Sequence, residues 1–232
     1  MEPELLLIDK PKGITSFDVI RRLRRHYSDS HDGAKAPKMG HAGTLDPLAT
    51  GLMLIGLGKG TKRLAELTNF DKEYVAEVRF GMSTTTSDME GEVLAEKAVD
   101  EPLHILKAKL EPLVEKMVGK ITLPVSAYSA IKVDGVAMYK RARKAEKLGE
   151  VVTEVPTRTM HVHSAKLMSS SIEAGYYVAV IHFSVGSGTY IRSLGVELGV
   201  QLGYPAMLQS LRRTKVGEFD IKNAQQITDV FR

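Results

Sequence analysis

The chain of 232 residues is long enough for one large domain with its own core. Its 43% hydrophobic and 26% charged residues exclude a disordered chain, a collagen and a coiled-coil rod. The absence of cysteine excludes disulfides, thiolate metal sites and cysteine nucleophiles, and a formal net charge of +4 permits a polyanionic partner without requiring one.

In chain order, Leu5-Leu6-Leu7-Ile8 is a short apolar run that ends in Asp9-Lys10-Pro11-Lys12-Gly13, which predicts a buried strand leaving into a turn. Thr15 and Ser16 can cap a helix over 17–27 with Phe17, Ile20 and Leu23 on one face and Arg21, Arg22, Arg24 and Arg25 clustered. Residues 28–45 are polar and Gly-rich and predict a long loop, followed by a buried strand over 52–55 and a short helix over 61–69. Alternation over 74–82 predicts a half-buried strand, and Leu103, Leu106, Leu110, Leu113 and Met117 give 102–118 the period of an amphipathic helix. A very basic helix is expected over 137–148, strands over 161–168 and 176–185, a helix over 190–202, a strand over 207–216 and a last helix over 223–231.

The 18 positions between Glu173 and Arg192 carry no charge. Three glycines and a strand-like alternation mark them as buried sheet rather than a membrane span. The acidic N-terminus lacks the layout of a secretory signal. Strands and helices interspersed in this way predict an α+β fold with a mixed, mainly antiparallel sheet, as a single domain over 1–232 without internal repeat or dividing linker.

The densest segment chemically is Gly40-His41-Ala42-Gly43-Thr44-Leu45-Asp46-Pro47-Leu48-Ala49-Thr50-Gly51. Three glycines and a proline surround a lone carboxylate just before a buried strand. An aspartate before proline is restrained toward extended backbone, and a loop anchored on a strand holds its side chains in place. On the residues alone, Asp46 can equally be a turn aspartate capping local amides.

This segment resembles the signature of the TruB-type tRNA pseudouridine synthases, Gly-His-x-Gly-x-Leu-Asp-Pro-x-Ala-x-Gly-Leu. Further stretches fall in the family's order: Leu6 to Ser16, Asp71-Lys72-Glu73-Tyr74, Ser126 to Lys132, Gly188-Thr189-Tyr190-Ile191-Arg192-Ser193 and Leu211-Arg212-Arg213. Together they span the chain from Leu5 to about Gly217.

The resemblance implies a pseudouridine-synthase-like α+β fold, its sheet flanked by helices, and isomerisation of the T-loop uridine at tRNA position 55. That reaction breaks the N1–C1′ bond, turns the uracil and rejoins it through C5. It involves no redox change and no group donor, so no cofactor and no metal are expected. By the same resemblance Asp46 is the catalytic nucleophile. Arg192 keeps it ionised, since a guanidinium within about 4–6 Å lowers a carboxyl pKa by roughly 1–3 units. Tyr190 would share the pocket with Arg192, Tyr74 would pack on the base and Leu211 would form an apolar wall. His41 would fill the gap left by the extruded nucleotide. The expected partner is tRNA through its T-arm, with no membrane and no guide RNA, and the protein is expected to be a cytoplasmic monomer.

Lys140, Arg141, Arg143 and Lys144 belong to a cationic cluster between Lys132 and Lys147 faced only by Asp134 and Glu146. The resemblance implies a mobile thumb here, an insertion at about 124–157 that closes on RNA phosphates. Two features depart from the family. The chain ends at Arg232, so no C-terminal PUA-type module is expected, and 28–38 is longer than the usual connection. Two motifs fail: Gly56 to Lys62 lacks the Gly-Lys-Ser/Thr of a phosphate loop, and His161-x-His163 has no evident third metal ligand. A different class of function would be a non-catalytic RNA-binding or tRNA-folding protein of the same fold. Retention of Asp46, Tyr74 and Arg192 together argues against it, because a pure binder needs no carboxylate facing phosphates.

Overall fold

The structure, a computed structural model, describes every residue except Met1, Glu2, Pro3, Ala130, Gly149, Val151, Thr153 and Arg232. Ala130 of the Ser126 to Lys132 stretch, the other three internal positions of the expected thumb, and the two chain ends discussed above therefore lie outside the described residues.

The elements in chain order are β1 (Leu5–Lys10), α1 (Ser16–Ser30), β2 (Met39–Ala42) and β3 (Thr50–Leu57), then a 3₁₀ segment (Gly58–Arg63) running into α2 (Leu64–Thr68). Next come β4 (Lys72–Phe80), β5 (Met82–Thr84), β6 (Val93–Glu96), α3 (Leu103–Lys116), β7 (Gly119–Pro124), β8 (Lys132–Val133), β9 (Val136–Ala137) and α4 (Met138–Glu146). The chain closes with β10 (Thr157–Glu173), β11 (Tyr176–Val185), α5 (Ile191–Leu202), β12 (Ala206–Val216), β13 (Phe219–Asp220) and two 3₁₀ turns (Ile221–Asn223 and Ile227–Asp229). The fold is α+β, with antiparallel pairs dominating and β12 running parallel to β3. No helix among the described residues is long and apolar enough to cross a membrane, and the uncharged stretch before Arg192 is mostly β11.

The chain divides into two compact units, and β4, β11 and β12 each contribute residues to both. The first comprises residues 1–75, 182–188 and 210–232. Its strand order begins β1-β3-β12, with β2 on β3 and β13 on β12. Ala42, Leu52, Leu54, Leu67 and Val216 form a buried cluster packed by Leu5, Leu7, Phe70 and Phe219. In the second unit, residues 76–181 and 189–209, β10 pairs with β7 and α3 lies against β10 and α5. Its core includes Val78, Phe80, Leu106, Leu110, Tyr177, Leu194 and Leu198, with the Phe80 and Tyr177 ring centroids 5.4 Å apart.

Thr15 starts α1 with a capping box: its hydroxyl accepts from the Asp18 amide at 3.1 Å, and the Asp18 carboxylate accepts from the Thr15 amide at 2.9 Å. Gly203 ends α5 in the left-handed region at φ +84°, letting the Tyr204 amide reach back to the Gly199 carbonyl at 3.0 Å.

Several expectations are corrected. Residues 28–45 are not one loop, because α1 continues to Ser30 and β2 pairs with β3 from Met39. The helix expected over 61–69 is a 3₁₀ segment followed by a short α-helix. The strand expected over 161–168 extends over the whole of β10. No α-helix forms over 223–231, which holds only short 3₁₀ turns. Gln225 instead donates to the Leu7 carbonyl at 2.9 Å and accepts from the Asp9 amide at 3.0 Å, so its backbone groups serve β1. Phe17 does not join Ile20 and Leu23 in the core but stands 61% exposed.

Candidate active site

The loop 43–49 leaves β2 and returns as β3, and four distant residues fasten it. Ser16 Oγ accepts from the Leu45 amide at 2.8 Å and donates to the Leu45 carbonyl at 2.9 Å. The Gly13 amide donates to the Pro47 carbonyl at 2.8 Å. Lys10 Nζ donates to the carbonyls of Ala49 at 2.6 Å, Pro11 at 2.9 Å and Pro47 at 3.3 Å. Arg213 Nη2 donates to the Gly43 carbonyl at 3.2 Å while its Nε holds the Leu52 carbonyl at 2.7 Å. Within the loop, the Ala49 amide donates to the Asp46 carbonyl at 3.0 Å. The Asp46 backbone is thus pinned on both sides, and its side chain is half-buried.

Strand register explains why these cations sit here. Lys10 pairs with Gly51 across β1 and β3, and Gly51 pairs with Arg213 across β3 and β12, so the three form one row. Lys10 is fully buried and Arg213 is 1% exposed. Buried charges of this kind require acceptors, and the loop carbonyls supply them. Gly51 has φ +105°, and a Cβ on it would stand 2.3 Å from the Arg213 carbonyl oxygen, so only glycine fits. Next to this row, Arg212 makes a bidentate pair with Asp9 at 2.7 and 3.1 Å and reaches Thr50 Oγ1 at 3.3 Å.

Of the expected site residues, His41, Asp46, Tyr74 and Leu211 belong to this first unit. Burial, and then the Arg213 charge, lower the His41 pKa, which keeps its imidazole neutral. Tyr74 and Leu211 are both 8% exposed. On β4 the buried side carries Lys72, Tyr74, Ala76, Val78 and Phe80 in alternation. Lys72 donates to the Thr68 and Phe70 carbonyls. Its pKa falls to about 8 because of burial first and Arg213 second, with Asp71 opposing.

Tyr190, Arg192 and the thumb cations belong to the second unit. Arg192 lies in the first turn of α5, where the helix dipole disfavours a cation, and it is only 5% exposed. Its Nη1 donates to the Thr86 carbonyl at 2.7 Å and Ser126 Oγ at 3.1 Å, its Nη2 to the Tyr128 carbonyl at 3.1 Å, and Asp88 Oδ2 stands 3.6 Å from Nη1. Asp88 is 2% exposed, and its carboxylate accepts from Thr86 Oγ1 and from the Glu90 amide at 3.1 Å. The same unit encloses a cavity of about 380 Å³ lined by Thr84, Ser87, Ser126, Tyr128, Ala142 and Val155 among others. Tyr190 caps α5 and donates its amide to Met160 Sδ at 3.2 Å.

On α4, Met138 and Ala142 are buried while Lys140, Arg143 and Lys144 are exposed. Arg141 turns to the 133–134 turn, donating to the Val133 carbonyl at 2.5 Å and to the exposed Asp134 carboxylate at 3.0 Å. His161 and His163 lie 4.5 Å apart by ring centroid, and no group of three or more possible ligands that could hold a metal occurs among the described residues.

Sequence reasoning missed Lys10, Ser16, Lys72, Asp88 and Arg213 as members of these networks. Strand parity could have found three of them. Lys10 shares the buried parity of Leu6 and Ile8, Lys72 that of Tyr74 and Ala76, and Arg213 that of Leu211. A cation at a core position of a strand is an anomaly that needs an acceptor.

Residues 31–191 match the model of the TruB family pseudouridylate synthase N-terminal domain. The chain is 39% identical over 220 residues to the tRNA pseudouridine synthase B of Corynebacterium diphtheriae, covering 95% of this chain and 69% of that one. It is 41% identical over 223 residues to the tRNA pseudouridine synthase B of Leifsonia xyli subsp. xyli, covering 96% of this chain and 70% of that one. Among solved structures, a chain of a Cbf5-Nop10-Gar1 complex shares the fold with a TM-score of 0.67 at 23% identity. That match covers 98% of this chain and about half, 53%, of the other. On the family match and the two relatives, this chain belongs to the TruB family of pseudouridylate synthases.

Proposed function

We propose that this protein isomerises uridine to pseudouridine in tRNA, at the T-loop uridine of position 55, with Asp46 as the nucleophile. The observation that carries the reading is the fastened loop: three side chains and an amide from elsewhere in the unit hold the backbone around one half-buried carboxylate. A nucleophile that must meet one carbon of an extruded nucleotide benefits from such fixing, because misplacement by about 1 Å can cost roughly 10²-fold in rate.

The reaction breaks N1–C1′ and forms C5–C1′. N1 gains a proton and C5 loses one, so atoms and electrons balance without donor or oxidant. Tyr74 offers the base a flat ring and Leu211 an apolar wall. A neutral His41 can stack in the vacated place without bringing a second charge. Tyr190 and Arg192 belong to the second unit, where the buried Arg192 holds the backbone of Thr86 and Tyr128. The segment at about 124–157 acts as a thumb, with Lys140, Arg143 and Lys144 presented to phosphates and Arg141 bracing the 133–134 turn. The protein acts as a monomer, without a guide RNA.

The decisive experiment incubates purified protein alone with an unmodified tRNA transcript and maps pseudouridine by position. Modification at position 55 supports the whole reading. Binding without any pseudouridine would favour the tRNA-folding alternative, and modification that needs an added RNA would remove guide independence. Light scattering of the free protein tests the monomer.

A further inference from the structure

The basic face of α1 has no part in the site described above. Phe17, Arg21 and Arg24 follow one another at the i, i+4, i+7 spacing of a single helical stripe, with Arg25 adjoining it. Between Lys12 and Arg25 the chain carries five cations and one carboxylate, Asp18. That carboxylate is already engaged by Thr15 and by Arg21. Lys12, Phe17, Arg21, Arg22, Arg24 and Arg25 are all exposed.

Two contacts place this face beside the Asp46 loop. Ser16, immediately before Phe17, holds both backbone groups of Leu45, and Arg24 Nη2 donates to the Met39 carbonyl at 3.4 Å at the start of the strand that carries His41. An exposed phenylalanine among arginines is unfavourable for a purely solvated face. It suits a polyanion that also presents aromatic rings. Stacking on an aromatic side chain is typically worth a 5- to 150-fold change in affinity per base, and each phosphate contact adds to the salt dependence.

We propose that this face of α1 is a second RNA-docking surface, where Phe17 stacks on an unpaired base and Arg21 and Arg25 contact the flanking phosphates. The proposal rests on the reading that tRNA is the substrate and deepens it. It places part of the affinity on the helix next to the nucleophile's loop, independently of the thumb.

The test uses the full chain and an unmodified tRNA transcript, with wild type, Phe17→Ala and the double variant Arg21→Gln with Arg25→Gln. Equilibrium binding is measured over a salt series, and pseudouridine formation is followed under single turnover at saturating RNA. Phe17→Ala is expected to weaken binding about tenfold with an unchanged salt slope. The double variant is expected to weaken binding and to flatten the slope of log affinity against log salt by about 1.4–1.8, with the saturated rate within about threefold of wild type. A photo-crosslinking residue at position 17 should label the RNA. If both variants bind like wild type with the wild-type slope, or if position 17 crosslinks to a second copy of the protein and not to RNA, the docking surface is refuted. Wild type that neither binds nor modifies tRNA would overturn the functional reading itself, a result distinct from variants that match an active wild type.

Discussion

Lys10 Nζ reaches across 39 positions of sequence to the Ala49 carbonyl, 2.6 Å away, and in doing so ties the end of β1 to the loop that carries Asp46. The ammonium is fully buried and donates to the backbone carbonyls of Pro11, Pro47 and Ala49, the last two in that loop. Lys10→Met keeps the length of the side chain and removes the donor. We expect a loss of about 2–4 kcal/mol, because buried carbonyls lose a charged partner. That corresponds to a Tm lower by roughly 5–15 °C, checked by thermal and urea unfolding. An unchanged midpoint would show that the loop holds itself.

Gly51→Ala should be worse tolerated than its size suggests. The new Cβ would meet the Arg213 backbone at 2.3 Å and would force an L-residue to φ +105°. A penalty of at least about 3 kcal/mol is expected, visible as insoluble protein or a strongly lowered unfolding midpoint. Near-normal stability would mean that β3 and β12 can part without harm.

Asp46→Asn should leave folding and RNA affinity close to wild type while lowering turnover by roughly 10³-fold or more. The amide keeps the shape and the backbone contacts but cannot act as a nucleophile. Single-turnover assays after mass spectrometry to exclude deamidation decide the matter, and activity within tenfold of wild type removes Asp46 from the mechanism.

Arg192→Lys is expected to lose nearly as much activity as Arg192→Ala, on the order of 10²-fold. The guanidinium addresses Thr86, Ser126, Tyr128 and Asp88 through two nitrogens, a pattern that one ammonium cannot reproduce. Asp88→Asn should give an intermediate loss. Recovery of most activity by lysine would leave only the charge as important.

Lys72 gives a pH signature. Its folded pKa of about 8 lies below the ordinary 10.5 of a lysine, so above pH 8 the unfolded chain binds the extra proton. Stability should therefore rise, by up to about 3 kcal/mol, as pH increases from 8 to 10.5, and be penalised throughout below 8. Lys72→Met should remove that rise. Unfolding midpoints of both proteins between pH 7 and 10.5 test it, and parallel curves would show that Lys72 titrates as an exposed lysine.

Periodicity alone determined much of this protein. The alternation of Tyr74, Ala76, Val78 and Phe80 gave β4 its buried side, the run 176–185 is β11 to the residue, and the helix before Gly203 ends where glycine can adopt a left-handed turn. The Gly-His to Thr-Gly segment made Asp46 the candidate through its resemblance to a family signature, while its local chemistry alone left a turn aspartate open. The final 3₁₀ turns were not legible, because the Gln225 backbone bonds β1 rather than its own neighbours. Nor was the exposure of Phe17, whose helical spacing matches the core face but whose position faces outward. The tertiary structure alone decided that Lys10, Arg213 and Ser16 hold the Asp46 loop and that Asp88 meets Arg192. Each of those contacts joins residues whose sequence separation is closed only by strand register and packing, and a buried cation becomes tolerable only once the fold has brought its carbonyl acceptors to it.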